Sequence, residues 1–213
     1  FNNKNDFKKY PRNITKDLSI LKRLKVNYVY LPNKKHIYIS KRKSKIKIHK
    51  NDKILCAKYR KGHFQGVIDV MDRLTKLIKP QKIFMGEKDL QQFNLVKKYI
   101  EKRYPSKIIL CKTIRDNKKL ALSSRNLLLD KQDLIKARKL TKNIFDFKKK
   151  LKNKVISKKI LTDKIDQLNE ICKIKVEYLE IRNVKNLMVS QKINNSKIFI
   201  AYYLKKIRLI DNI

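Results

Sequence analysis

The stretch from residue 62 to 114 constrains the fold more than any other. Two short apolar runs, "KIFM" (82–85) and "KIILCKTI" (107–114), flank "KDLQQFNLVKKYIEKRYP" (88–105). Apolar runs of this length read as strands, whereas the middle segment places Leu90, Phe93, Val96 or Lys97, and Ile100 on one helical face. Strand, helix, strand is a βαβ unit, so the two strands run parallel and need helices to cover them. A preceding helix is written into "GHFQGVIDVMDRLTKLIKP" (62–80), where Phe64, Val67, Ile68, Met71, Leu74 and Ile78 share a face and Pro80 stops it.

The flanking segments are read in the same way. Residues 13–25 form an amphipathic helix through Ile14, Leu18, Leu21 and Leu24. "VNYVYLP" (26–32) reads as a strand ended by Pro32, and "HIYIS" (36–40) and "KIKIH" (45–49) as short, partly exposed strands. After about residue 115 the pattern changes. Asp130 caps a basic helix reaching about 151, and a second helix spans about 157–171. "KVEYLEIR", "KIFIAYYL" and "KIRLID" then give a small antiparallel sheet. The fold class is α/β: a domain with a parallel sheet over 1–114, then a smaller α+β domain with antiparallel strands over 115–213.

Composition bounds the partners. Net charge is +39, with 57 Lys and Arg against 18 Asp and Glu. Such a charge points to nucleic acid, but the lysines are spread along the chain, which also fits an AT-rich coding bias that fills exposed positions with lysine. No glycine-arginine tract or zinc spacing is present, so specific nucleic-acid binding is not the expected main function. No apolar run approaches the roughly 18 residues of a membrane span. Three scattered cysteines, Cys56, Cys111 and Cys172, suit reduced thiols in a cytoplasm. P-loop, G-x-G-x-x-G, catalytic-triad and HExxH patterns are all absent.

Three segments could carry chemistry. Gly86 to Asp89 follow the first strand of the βαβ unit, where α/β sheets bind ligands. A helix start there offers free N–H groups, Gly86 allows close backbone approach, and Lys88 adds a full charge suited to phosphate. The same residues could be no more than a surface charge cluster in the first helical turn. "LALSSRN" (120–126) sets two hydroxyls before an arginine, a phosphate grip or a helix cap beside a surface arginine. "YRKGHFQGV" (59–67) brings Arg60 and His63 near Gly62, where they could touch an anion. His36 and His49 read as surface residues.

As an ordered set, "YPRN" (10–13), "RKGHFQGV" (60–67), "GEKDLQQ" (86–92), "TIRD" (113–116), "LALSSRN" (120–126) and "IRLIDN" (207–212) resemble the pantothenate synthetase (pantoate–β-alanine ligase) family across nearly the whole chain. The resemblance implies ATP-dependent joining of (R)-pantoate to β-alanine through a pantoyl-adenylate, releasing diphosphate, AMP and pantothenate. It implies a Rossmann-like nucleotidyltransferase domain that binds ATP and pantoate over 1–114, a small C-terminal domain over 115–213 that folds over the site, Mg²⁺ with the ATP, and a homodimer. Gly86, Glu87, Lys88 and Asp89 match one ATP segment, with Lys88 on the α-phosphate and departing diphosphate. Leu122, Ser123, Ser124 and Arg125 match the other, with the serines and Arg125 on the phosphates. Ile114 matches an adenine-contacting backbone position, Gln92 a pantoate hydrogen-bonder, and Arg60, His63 and Tyr10 positions near the pantoate end. The chain departs from the pattern at Lys61, where the family has Pro, and at Lys118 and Lys119, where it has an acid and a glycine. Phe1 aligns just after a family glutamine that holds both pantoate and β-alanine. The histidine pair and first strand that precede this glutamine in the family are not in the sequence, so the chain by itself is expected to be an inactive fragment of the ligase.

Overall fold

The computed structural model describes residues 7, 8, 10–38 and 46–213. The βαβ unit forms as its periodicity dictates. Strand β1 (Lys82–Gly86) pairs in parallel with β2 (Lys107–Cys111), from Lys82 opposite Lys107 to Gly86 opposite Cys111. Between them a 3₁₀ turn (Glu87–Asp89) leads into a helix (Leu90–Ile100) that buries Leu90, Phe93, Val96 and Ile100. The helix His63–Ile78 packs beside it through Phe64 and Ile68. Its N-cap, Gly62, sits at φ 77°, a left-handed conformation that glycine adopts without a Cβ penalty. Ile78, expected on the inward face, is 52% exposed at the last residue of the helix.

Two long helices follow, Lys131–Lys150 and Lys158–Cys172. Asp130 caps the first by accepting from the Asp133 amide, and Ser157 caps the second by accepting from that of Ile160. An antiparallel sheet then forms in the order β3 (Lys175–Asn183), β4 (Ser196–Leu204), β5 (Ile207–Asn212). Seven of the nine residues of β4 are buried, because both faces of this sheet are covered. Ile198, Ile200, Tyr202 and Leu204 join the core of the two long helices, with Ile144 and Leu168. Phe199 and Ala201, on the opposite face, join the core of the βαβ unit together with Tyr178.

Three sequence expectations fail at the N-terminal side. Residues 26–32 form no strand: Tyr28 is 93% exposed, and Val29, Tyr30 and Leu31 are exposed as well. β-branched and aromatic residues favour strands by packing against neighbours, and no described strand runs alongside. Within 36–40, Lys34–Ile37 form a single helical turn capped by the Asn33 side chain. Residues 39–45, which hold the rest of that expected strand and the start of the next, lie outside the described set. Ile46–His49 are not a strand either. The Gln65 amide acts in place of a partner strand, accepting from Ile48 N at 3.1 Å and donating to Ile46 O at 2.6 Å.

Candidate active site

A cavity of about 230 Å³ opens beyond the carboxyl end of β1. The sequence-predicted residues Lys88, Asp89, Gln92, Arg60, His63, Tyr10, Ser123 and Arg125 all line it. Lys88 and the Ser123–Arg125 segment therefore face one common space. A smaller recess of about 40 Å³ adjoins it, sharing Arg60, His63, Lys88, Asp89 and Gln92 and reaching back to Cys56, Gln91 and Asn212.

Glu87 contributes differently from its neighbours. Its Oε1 pairs with Lys197 Nζ at 2.9 Å and its Oε2 accepts from the Thr113 amide. Burial works to raise its pKa, but Lys197 and the amide outweigh that and hold the carboxyl below its usual range. This side chain thus joins the exits of β1 and β2 to β4. Gly86 has an ordinary φ of −70°, and a Cβ there would meet nothing within 4 Å. The open space beside it, rather than its backbone angle, suits close approach by a ligand. Ile114 is 68% exposed, and its carbonyl accepts from the Leu122 amide at 2.9 Å. Leu122, itself exposed, leads directly to the serines.

The second segment is held by local turns. Arg115 and Ala121 form an isolated antiparallel bridge that closes a loop through Asp116. Ser123 caps the 3₁₀ turn Ser124–Leu128 by accepting from the Arg125 amide. Ser124 Oγ donates to Tyr10 OH at 2.7 Å, which brings the N-terminal "YPRN" segment to the cavity. Arg125 Nη1 donates to the Arg208 carbonyl at 2.8 Å, which fixes the guanidinium against β5.

Arg60 Nη1 lies 2.8 Å from His63 Nε2. Guanidinium only donates, so Nε2 is the acceptor and the proton of the neutral ring sits on Nδ1. Burial and then the Arg60 charge, with help from Arg208 and Arg125, push the His63 pKa down to about 3. At neutral pH His63 is an uncharged hydrogen-bonding group.

Sequence reasoning missed Arg208, Leu209 and Ile210, which also line the cavity. Arg208 sits in the "IRLIDN" block, so the segment was visible but the direction of its side chain was not. Its Nε donates to Glu177 Oε2 at 3.0 Å, and Nη2 reaches both Glu177 and Cys56 Sγ. Burial opposes the charge on Arg208, but the Glu177 carboxylate outweighs it and raises the pKa, so the guanidinium stays charged. Four cations, Arg60, Lys88, Arg125 and Arg208, therefore stand around the cavity with one carboxylate, Asp89, on its wall, and of the four Arg208 is balanced from behind by Glu177. In a partly desolvated space such an imbalance favours a polyanion, and it supplies donors for several phosphate oxygens.

Comparison with known proteins gives the same picture. The family model for pantoate-beta-alanine ligase matches residues 1–213. A pantothenate synthetase of Clostridium botulinum (strain ATCC 19397 / Type A) is 36% identical over 215 residues, covering 100% of this chain and 76% of the relative. One from Leptospira interrogans is 36% identical over 223 residues, with the same two coverages. Among solved structures, pantothenate synthetase from Thermus thermophilus superposes with a TM-score of 0.88 at 27% identity, over 98% of this chain and 76% of that one. A pantoate-beta-alanine ligase from Francisella tularensis, complexed with beta-gamma ATP and beta-alanine, has a TM-score of 0.81 at 34% identity, over 100% of this chain and 74% of that one. By sequence over its full length, and by fold, the chain belongs to the pantoate–β-alanine ligase family.

Proposed function

We propose that this protein uses ATP to join (R)-pantoate and β-alanine into pantothenate, by way of a pantoyl-adenylate. The observation that carries the reading is the shared cavity, in which Lys88 faces Ser123 and Arg125 among four cations and one carboxylate. A triphosphate spanning the two segments meets donors along its length. Lys88 neutralises charge that builds on the α-phosphate as diphosphate departs, and Arg125 with Ser123 holds the remaining phosphates. Gln92, Arg60 and the Nδ1–H of His63 form the polar wall for the pantoate end. Ser124 acts through Tyr10, while Glu87 acts by holding the loop that carries Lys88. Adenine lies along Ile114 and Leu122. No residue serves as a nucleophile: positioning and electrostatics do the work, as is usual in phosphate chemistry.

Mg²⁺ fits this arrangement as a passenger on the triphosphate. No group of three or more metal-ligating side chains occurs among the described residues, and Mg²⁺ in ATP sites takes one or two carboxylates plus phosphate oxygens. Asp89 is the carboxylate on the cavity wall. Bound there, the ion would neutralise phosphate charge. We further assign residues 1–114 to an ATP- and pantoate-binding unit and 115–213 to a lid-like unit, and infer a cytoplasmic homodimer. A basic protein made for nucleic acid is the less favoured reading.

Calorimetric titration with ATP tests the core of this reading, followed by assay of AMP release from the gene product. AMP should appear only when pantoate and β-alanine are both present. Lys88→Ala should cut adenylate formation by about 10²- to 10³-fold with little change in melting temperature. Near-normal turnover in that variant, or RNA binding that outlasts physiological salt and is displaced by ATP, would overturn the reading.

A further inference from the structure

We propose that Asn212, the last residue of β5, is the positioning residue that sets Lys88 at the cavity wall. Its Nδ2 donates to two successive carbonyls of the 3₁₀ turn, Glu87 O at 2.7 Å and Lys88 O at 2.9 Å. One amide group thus grips the backbone on both sides of the Cα that carries the lysine. The grip spans 124 residues of sequence and joins the final strand to the exit of β1.

Asn212 is in turn held from behind. Its amide donates to Asp211 Oδ1 at 2.8 Å, and its carbonyl accepts from Arg115 Nη2 at 3.1 Å. Arg115 forks onto Asp211, with Nη1 to Oδ2 at 2.7 Å and Nη2 to Oδ1 at 2.9 Å. Asn212 also sits opposite Phe199 in the β4–β5 ladder. It is 1% exposed, so water does not compete for its two bonds. Lys88 lacks any comparable hold of its own. No carboxylate among the described residues forms a salt bridge with its Nζ, so the placement of its backbone decides where the ammonium stands.

The residue type is part of the device. An amide NH₂ offers two protons without charge, which suits two neighbouring carbonyl oxygens in a buried place. Aspartate has the same shape, but when ionised it offers no proton and sets negative charge against both carbonyls. When protonated it can serve one of them. The recess beside Asn212 holds a further hint of this polar tuning. Asn212 Oδ1 and Gln91 Oε1 are both buried acceptors without a protein donor, and both residues line that recess.

The ligand in this proposal rests on the proposed function, whereas the grip on the loop does not, and two readouts separate them. The first is amide hydrogen exchange of the ligand-free protein. Asn212→Ala should speed exchange in residues 86–92 at least tenfold and leave the helix Lys158–Cys172 unchanged. The second is calorimetry with ATP, in which Asn212→Ala should weaken binding at least tenfold. Unchanged exchange at 86–92, or loosened exchange with ATP affinity within twofold of the parent, overturns the proposal. If the parent protein binds no ATP, the ligase reading fails while exchange still decides the grip. If Asn212→Ala does not fold, Asn212→Asp decides by its pH profile. The ratio of its dissociation constant to the parent's should rise several-fold from pH 5 to pH 8, and a flat ratio sinks the idea.

Discussion

His63 shows how one neighbour fixes a residue's chemistry. Arg60 takes its Nε2 as an acceptor, and burial with the surrounding cations keeps the ring neutral down to about pH 3. An unfolded histidine takes up its proton near pH 6.5. Between those two values the unfolded state binds one more proton than the folded state, so acid favours unfolding; above about 6.5 the contribution is complete. His63→Gln should therefore lose less stability than the parent between pH 7 and pH 5, by up to about 2 kcal/mol less what solvent screening of the half-buried ring removes, in urea melts at the two pH values. Equal losses would show that the ring is not held neutral. Lys119 offers a second test at this scale. It sits at φ 69°, the left-handed region, in the turn where the resemblance has glycine. The turn survives because Asp116 Oδ1 accepts from the Lys118 and Leu120 amides, and Arg115 donates to the Lys119 carbonyl. Lys119→Gly should stabilise the protein by up to about 1 kcal/mol in the same melts, since glycine reaches this conformation without steric cost.

Strand β4 is the element on which both cores depend. Ile198, Ile200 and Tyr202 pack toward the two long helices, and Phe199 and Ala201 toward the βαβ unit. Phe199→Ala should cost about 3 to 5 kcal/mol through lost transfer energy and a residual cavity. Because Phe199 stands opposite Asn212 and near the recess, the same variant should also weaken ATP binding. Chemical denaturation with calorimetry on the folded fraction reads both effects. A loss of stability with unchanged ATP affinity would mean that β4 supports the fold without supporting the site. The failed strand at 26–32 belongs to the same scale. Its valines and tyrosines suit a pleated surface, but a strand is made by its partner as much as by its own residues. Gln65, by contrast, satisfies the backbone at Ile46 and Ile48 with one side chain, a solution no propensity encodes.

At the scale of the whole molecule, charge has two roles that salt separates. The surface shares in a net +39, while four cations are gathered at the cavity. Binding of a generic RNA, followed by fluorescence anisotropy, should fall at least tenfold between roughly 50 and 200 mM salt. ATP at saturation should not displace that RNA if adhesion belongs to the surface; displacement would place it in the cavity.

The sequence by itself determined the βαβ unit, the two long helices with the Asp130 cap of the first, the final antiparallel strands and the strings that carry the family. Those features rest on periodicity, capping chemistry and rare local motifs, all of them expressed within a few residues of chain. It also brought forward Lys88, Gln92, Ser123 and Arg125, since each lies in a distinctive string. Only the tertiary structure decided that Arg208 faces the cavity, that Glu87 turns to Lys197 and Thr113, that His63 is neutral, and that Asn212 grips the Lys88 turn. Each of those depends on a partner far along the chain, and a hydrogen bond or desolvation set by such a partner leaves no trace in the local pattern of residues.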